Sequence, residues 1–130
     1  MTSQPGGVDP LDLLKRAELA ALAAGELLLQ RPSELQVSSK STATDVVTDM
    51  DRRSERLLVQ MLLDGRPGDG VLGEEGADRE STNGVRWVID PIDGTVNYLY
   101  DIPIWAVSVG VEVDGVAVAG AVRIPSLGET

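Results

Sequence analysis

The chain has 130 residues, 42% of them hydrophobic, with a net charge of −10 and neither cysteine nor histidine. That length and apolar content suit one globular domain with a modest core. The composition excludes disulfides, thiol and imidazole catalysis and Cys- or His-ligated metals, so any metal takes oxygen ligands and is a hard cation such as Mg2+; the negative field argues against nucleic acid or an anionic membrane as partner.

Residues 1–8 read as a flexible leader, lacking the basic and apolar segments of a signal peptide. No run approaches the ~20 apolar residues of a membrane span. With cysteine absent as well, this suits a cytoplasmic protein. The domain proper then occupies residues 9–130. Asp9 predicts a helix cap with Pro10 at the first position, and the helix runs through LDLLKRAELAALAAGELLLQ until Pro32. Leu11, Leu14, Ala17, Ala21 and Leu28 mark its apolar face. Residues 35–45 read as loop or short extended chain. Thr48 and Asp51 resemble a capping box opening a second helix to about Leu63, with Met50, Leu57, Leu58, Met61 and Leu62 as its stripe. The segment from Gly65 to Gly70 breaks that helix.

Strands are predicted at Val71–Gly73 and Arg86–Ile89. A strong hairpin joins Ala106–Val113 to Val116–Arg123 through Asp114-Gly115. Simple alternation pairs Val113 with Val116, Val111 with Val118 and Val107 with Val122. It gives the sheet one bulky face, and one small face of Ala106, Ser108, Gly110, Ala117, Ala119 and Ala121. Helices first and mainly antiparallel strands after them define an α+β class, two helices packed on a sheet. The close after Pro125, at Gly128-Glu129-Thr130, reads as a cut rather than a natural end.

The chemistry gathers in WVIDPIDGTVNY, residues 87–98. A strand ends in Asp90-Pro91-Ile92-Asp93, so two carboxylates stand at a rigid turn where they repel unless a cation neutralises them. Gly94-Thr95 then opens a helical turn, whose free N–H groups favour an anion. Two cation ligands beside a phosphate cradle are what metal-assisted hydrolysis of a phosphate ester needs. Asp-Pro or Asp-Gly alone would be an ordinary turn; the whole string after an apolar strand argues for a site. The spacing does not fit an EF-hand loop. Glu74, in Gly73-Glu74-Glu75-Gly76, reads equally as a solvated turn residue or as a further ligand. Asp49 and Asp51, at the expected helix start, read by themselves as capping residues.

Taken together, KSTATDVVTDMD, GEEG and WVIDPIDGTVNY resemble the amino-terminal part of the inositol monophosphatase family, Mg2+-dependent and lithium-sensitive phosphatases with a layered αβαβα fold. The resemblance implies that Glu74, Asp90 and the carbonyl of Ile92 hold a first metal, and that Asp90 and Asp93 share a second. It places Thr95 by the attacking water, with Asp51 bonded to Thr95 and helping to take the proton. It implies phosphate contacts from Asp93 and from the N–H groups of Gly94 and Thr95, Lys40 near the rim, and Asp45 in a structural role. It departs from the family pattern at Tyr98, where Phe is frequent, and at Tyr100, where a small polar residue or His is common. The family's distal Trp-Asp ligand and most of its substrate contacts fall outside this sequence. The function implied is an inositol-1-monophosphatase acting by metal-activated water on a small phosphate ester, in a homodimer. The alternatives are the same chemistry on histidinol phosphate, fructose 1,6-bisphosphate or 3′-phosphoadenosine 5′-phosphate, or a non-catalytic metal-binding module.

Overall fold

Asp9 begins the first helix as its sequence predicts: its carboxylate accepts from the Leu11 N–H (3.0 Å) and Pro10 takes the first position. The computed structural model of the protein describes residues 8–30, 43–73, 78–100 and 102–130, with the backbone alone over 43–48. Helix α1 spans Pro10–Leu29. Its buried stripe is Leu13, Ala17, Ala20, Ala21, Ala24, Gly25 and Leu28, whereas Leu11 points to solvent and Leu14 is half-buried. The predicted stripe was therefore turned at its amino-terminal end, where an apolar circumference leaves the core-facing side ambiguous. Val8, assigned by sequence to the leader, is buried against the core; the remainder of the leader lies outside the described residues.

Helix α2 spans Ala43–Leu63. It starts well before Thr48, so Thr48 and Asp51 lie inside the helix rather than capping it, and residues 43–45 are helical rather than loop. Met50, Leu58 and Leu62 are fully buried, and Leu57 and Met61 half-buried. No basic residue sits in the last turn of α2. Arg16 of α1 fills that role, donating through Nη1 to the carbonyls of Met61 (3.0 Å) and Asp64 (2.7 Å).

Four strands form one sheet in the order β1-β2-β3-β4: β1 (Gly70–Leu72), β2 (Val85–Asp93), β3 (Ala106–Val113) and β4 (Val116–Arg123). β1 runs parallel to β2 and the other pairs are antiparallel. Arg79 pairs with Val71 along the outer side of β1, so that edge is covered. α1 lies over β3 and β4, and α2 over β2. Between helices and sheet sit Trp87, Ile89, Val107, Val109 and Val111, each worth ~1.5–3 kcal/mol of burial. Asp69 anchors the sheet from beneath: fully buried, it accepts from Trp87 Nε1 (2.9 Å), Asn83 Nδ2 (2.8 Å) and Arg66 Nε.

The hairpin has the bounds read from sequence, and Asp114 and Gly115 both take positive φ, as a two-residue turn requires. Its register differs from simple alternation. Val113 pairs with Val116, but Val111 pairs with Ala119, Val109 with Ala121 and Val107 with Arg123. Val118 is an extra residue, a β-bulge, and it reverses the facing of the rest of β4. Val116, Val118 and Val122 are accordingly 64%, 36% and 49% exposed, while Ala121 is only 7% exposed. Ala119 and Ala121 of β4 thus face α1, whose own buried stripe is mostly alanine, so helix and strand approach closely. At Gly25 an added Cβ would stand 3.0 Å from both Arg123 Cγ and Pro125 Cγ.

Candidate phosphate and metal site

The end of β2 breaks the rule that alternate residues face opposite sides. Asp90 pairs with Ser108 and Asp93 with Ala106, so three steps on β2 match two on β3. A bulge absorbs the extra residue, and Pro91 and Ile92 are buried in succession. In a regular strand, residues three apart point to opposite faces. Here both aspartates share the face of Ser108 and Ala106, away from the valines that meet the helices. Asp90 is half-buried and Asp93 exposed.

The chain then turns at Gly94, whose φ of 92° and ψ of 44° are left-handed. A side chain there would be strained, and its Cβ would lie 3.2 Å from the Ile104 carbonyl. Gly94 leads into α3 (Thr95–Leu99), a single short helix. Thr95 Oγ1 donates back to the Ile92 carbonyl (3.2 Å), which closes the turn on itself. Asn97 Nδ2 donates to the Ile104 carbonyl (2.7 Å) and fastens the returning chain. A cleft of about 280 Å3 opens beside Asp93, Gly94 and Asn97, walled by Ile104 and Trp105.

Helix α2 packs on both β2 and α3. Its buried stripe changes character along its length: Leu58 and Leu62 are followed, toward the amino end, by Glu55, Ser54 and Asp51. Asp51 is 8% exposed, on the helix that touches the one carrying Thr95. Asp90, Ile92, Asp93, Gly94, Thr95 and Asp51 thus belong to three contacting elements. Glu74 and Lys40 lie outside the described residues, as does the Gly73–Gly76 turn beyond its first glycine, and the side chain of Asp45 is not described. Among the described residues, no three acidic side chains come close enough to hold a metal between them.

Two residues of this region, Ser54 and Asn97, escape a reading of the sequence, and a third, Tyr98, stands out there only as a departure from the family pattern. Ser54 Oγ, fully buried, donates to the Pro91 carbonyl (3.0 Å). Asn97 closes the loop to Ile104. Tyr98 packs edge-on against Trp105 with ring centroids 4.9 Å apart, and its hydroxyl donates to the Leu28 carbonyl at the end of α1 (2.8 Å). That second bond gives Tyr98 a use for a hydroxyl that phenylalanine would lack. The bonds of Ser54 and Tyr98 carry no local signal, because each reaches backbone distant in sequence.

Comparison with known proteins agrees with this architecture. The sequence model of the inositol monophosphatase family matches residues 9–130. An inositol-1-monophosphatase from Mycobacterium leprae is 58% identical over 91 residues, covering 66% of this chain and 31% of the relative. A histidinol-phosphatase from Chlorobaculum parvum is 42% identical over 120 residues, covering 91% of this chain and 46% of that protein. The solved structure of Mycobacterium tuberculosis SuhB superposes with a TM-score of 0.72 at 42% identity, over 91% of this chain and 42% of that one. The chain therefore spans less than half the length of these relatives. No helix among the described residues is long and apolar enough to cross a membrane. On the family match and these likenesses, the chain belongs to the inositol monophosphatase family, a family of metal-dependent phosphatases.

Proposed function

We propose that this chain supplies the phosphate- and metal-binding part of a Mg2+-dependent phosphate monoesterase, with inositol 1-phosphate as its substrate. The observation that carries the reading is the bulge at Pro91-Ile92, which turns Asp90 and Asp93 to one face immediately before Gly94-Thr95. The donor chemistry fits a hard cation: carboxylates of Asp90 and Asp93 and the carbonyl of Ile92 are all oxygen ligands, and Glu74 would add a third carboxylate. When bound, Mg2+ would neutralise phosphate charge and acidify the attacking water.

The chain's own groups have separate tasks. Asp90 and Asp93 hold the cation and, unsaturated by it, repel an approaching phosphate, so the site demands metal first. Gly94 and Thr95 present N–H groups to the phosphate from the start of α3. For the reaction the Thr95 hydroxyl would turn from the Ile92 carbonyl, accept the proton of the attacking water and pass its own to Asp51, a task that needs no histidine. The assembly is a homodimer and its setting the cytoplasm, the latter supported by the lack of cysteine.

Histidinol phosphate is the second reading, favoured by the likeness to a histidinol-phosphatase across 91% of the chain. The test is phosphate release from inositol 1-phosphate and histidinol phosphate, with and without Mg2+. It would use this chain beside a chimera in which the carboxyl-terminal part of the Mycobacterium leprae relative follows Thr130. Mg2+-dependent release by the chimera, lost in Asp93→Asn, is expected. Release that persists in chelator would overturn the mechanism, and preference for histidinol phosphate would replace the substrate.

A further inference from the structure

Ser54 links the α2 helix to the backbone of the aspartate turn across 37 positions of sequence, through a fully buried side chain. Its hydroxyl reaches the carbonyl of Pro91, one of two residues that the β2–β3 ladder skips. Proline also contributes no N–H to that ladder. The bulge is therefore poorly held by the sheet, and two side-chain hydroxyls hold it instead: Ser54 on the Pro91 carbonyl, and Thr95 on that of Ile92. The neighbouring residue on α2 abuts a second strand end. Glu55 is 2% exposed, and its Oε1 stands 2.5 Å from where a Cβ on Gly73 would be, just beyond β1.

From this we infer that Ser54 is a positioning residue for the metal site: it fixes the Asp90–Asp93 bulge against α2, so that both carboxylates meet a divalent cation at one spacing. The inference rests on the metal-site reading above. A buried serine whose only task was to satisfy itself would affect stability alone. A residue that sets ligand geometry affects metal affinity beyond its effect on stability, as outer partners of metal ligands do.

The experiment is calorimetric titration of the full chain with Mg2+, alongside thermal unfolding without metal. It compares the parent with Ser54→Ala, Asp93→Asn, and Leu62→Val as a same-helix control. Ser54→Ala should weaken Mg2+ binding by roughly tenfold while lowering the metal-free melting temperature by roughly 3–6 °C. Leu62→Val should lower the melting temperature by a similar amount and leave affinity within about twofold of the parent. Affinity unchanged in Ser54→Ala, or reduced equally in Leu62→Val, would overturn the positioning role while leaving the metal site standing. A parent that binds no Mg2+, or binds it equally in Asp93→Asn, would overturn the metal-site reading and the role of Ser54 with it.

Discussion

At the scale of single residues, the site depends on positions whose side chains are small or absent. Gly94 must adopt a left-handed conformation with no room beside the Ile104 carbonyl. Gly94→Ala should cost about 1–2 kcal/mol for the backbone conformation alone, read by urea unfolding, with no change in the slope of the transition. A loss below a few tenths would mean the turn can relax and that the glycine is not required. Asp69 presents the opposite case, a polar group that everything around it needs. Asp69→Ala would leave the Trp87 indole N–H and the Asn83 amide without their acceptor in a buried place. A loss of roughly 2–4 kcal/mol is expected, with a changed tryptophan emission, whereas Asp69→Asn should retain part of the stability by keeping an acceptor oxygen. Equal losses in the two variants would show that charge, not acceptance, is what the site needs.

At the scale of elements, sequence and structure part where a single residue changes the count. The hairpin was legible to its end residues, because Asp114-Gly115 fixes a turn type and the flanking valines fix strands. Its register was not, because one inserted residue leaves alternation intact on either side while reversing which side is buried. The same device at Pro91-Ile92 made the aspartates readable as a pair but hid how they come to share a face. The start of α2 was misread because Thr48 and Asp51 imitate a cap, and nothing local says that the helix has already begun. Ser54 and Glu55 look like the polar side of an amphipathic helix, and only tertiary packing shows them buried. The contact between α1 and β4 gives a prediction at this scale. Gly25→Leu should destabilise by roughly 1–3 kcal/mol through contact with Arg123 and Pro125. Gly25→Ala should change stability by less than ~1 kcal/mol, since the gain in helix propensity offsets the tight contact. Chemical denaturation of both distinguishes crowding from propensity: a neutral leucine variant would mean that α1 and β4 separate easily.

At the scale of the whole molecule, the acidic turn sets local charge repulsion against metal binding. With a net charge of −10, the chain gains nothing electrostatically from adding two neighbouring carboxylates at the end of β2. Without metal, Asp93→Asn should therefore leave stability unchanged or raise it by less than ~1 kcal/mol, since Asp93 is exposed and its repulsion is screened by solvent. With Mg2+ the order should reverse. A cation that binds the folded chain alone stabilises it by about 2.7 kcal/mol at a hundredfold excess over its dissociation constant, or roughly 10 °C in melting temperature for a domain of this size. The parent should show that rise, saturating in shape with Mg2+ concentration and reversed by chelator, and Asp93→Asn should show little of it. The two melting curves then cross as Mg2+ is added, which neither general salt screening nor a purely structural aspartate would produce, because both act on the two proteins alike. Parallel shifts in parent and variant would remove Asp93 from the metal site, whatever the activity of the protein proved to be.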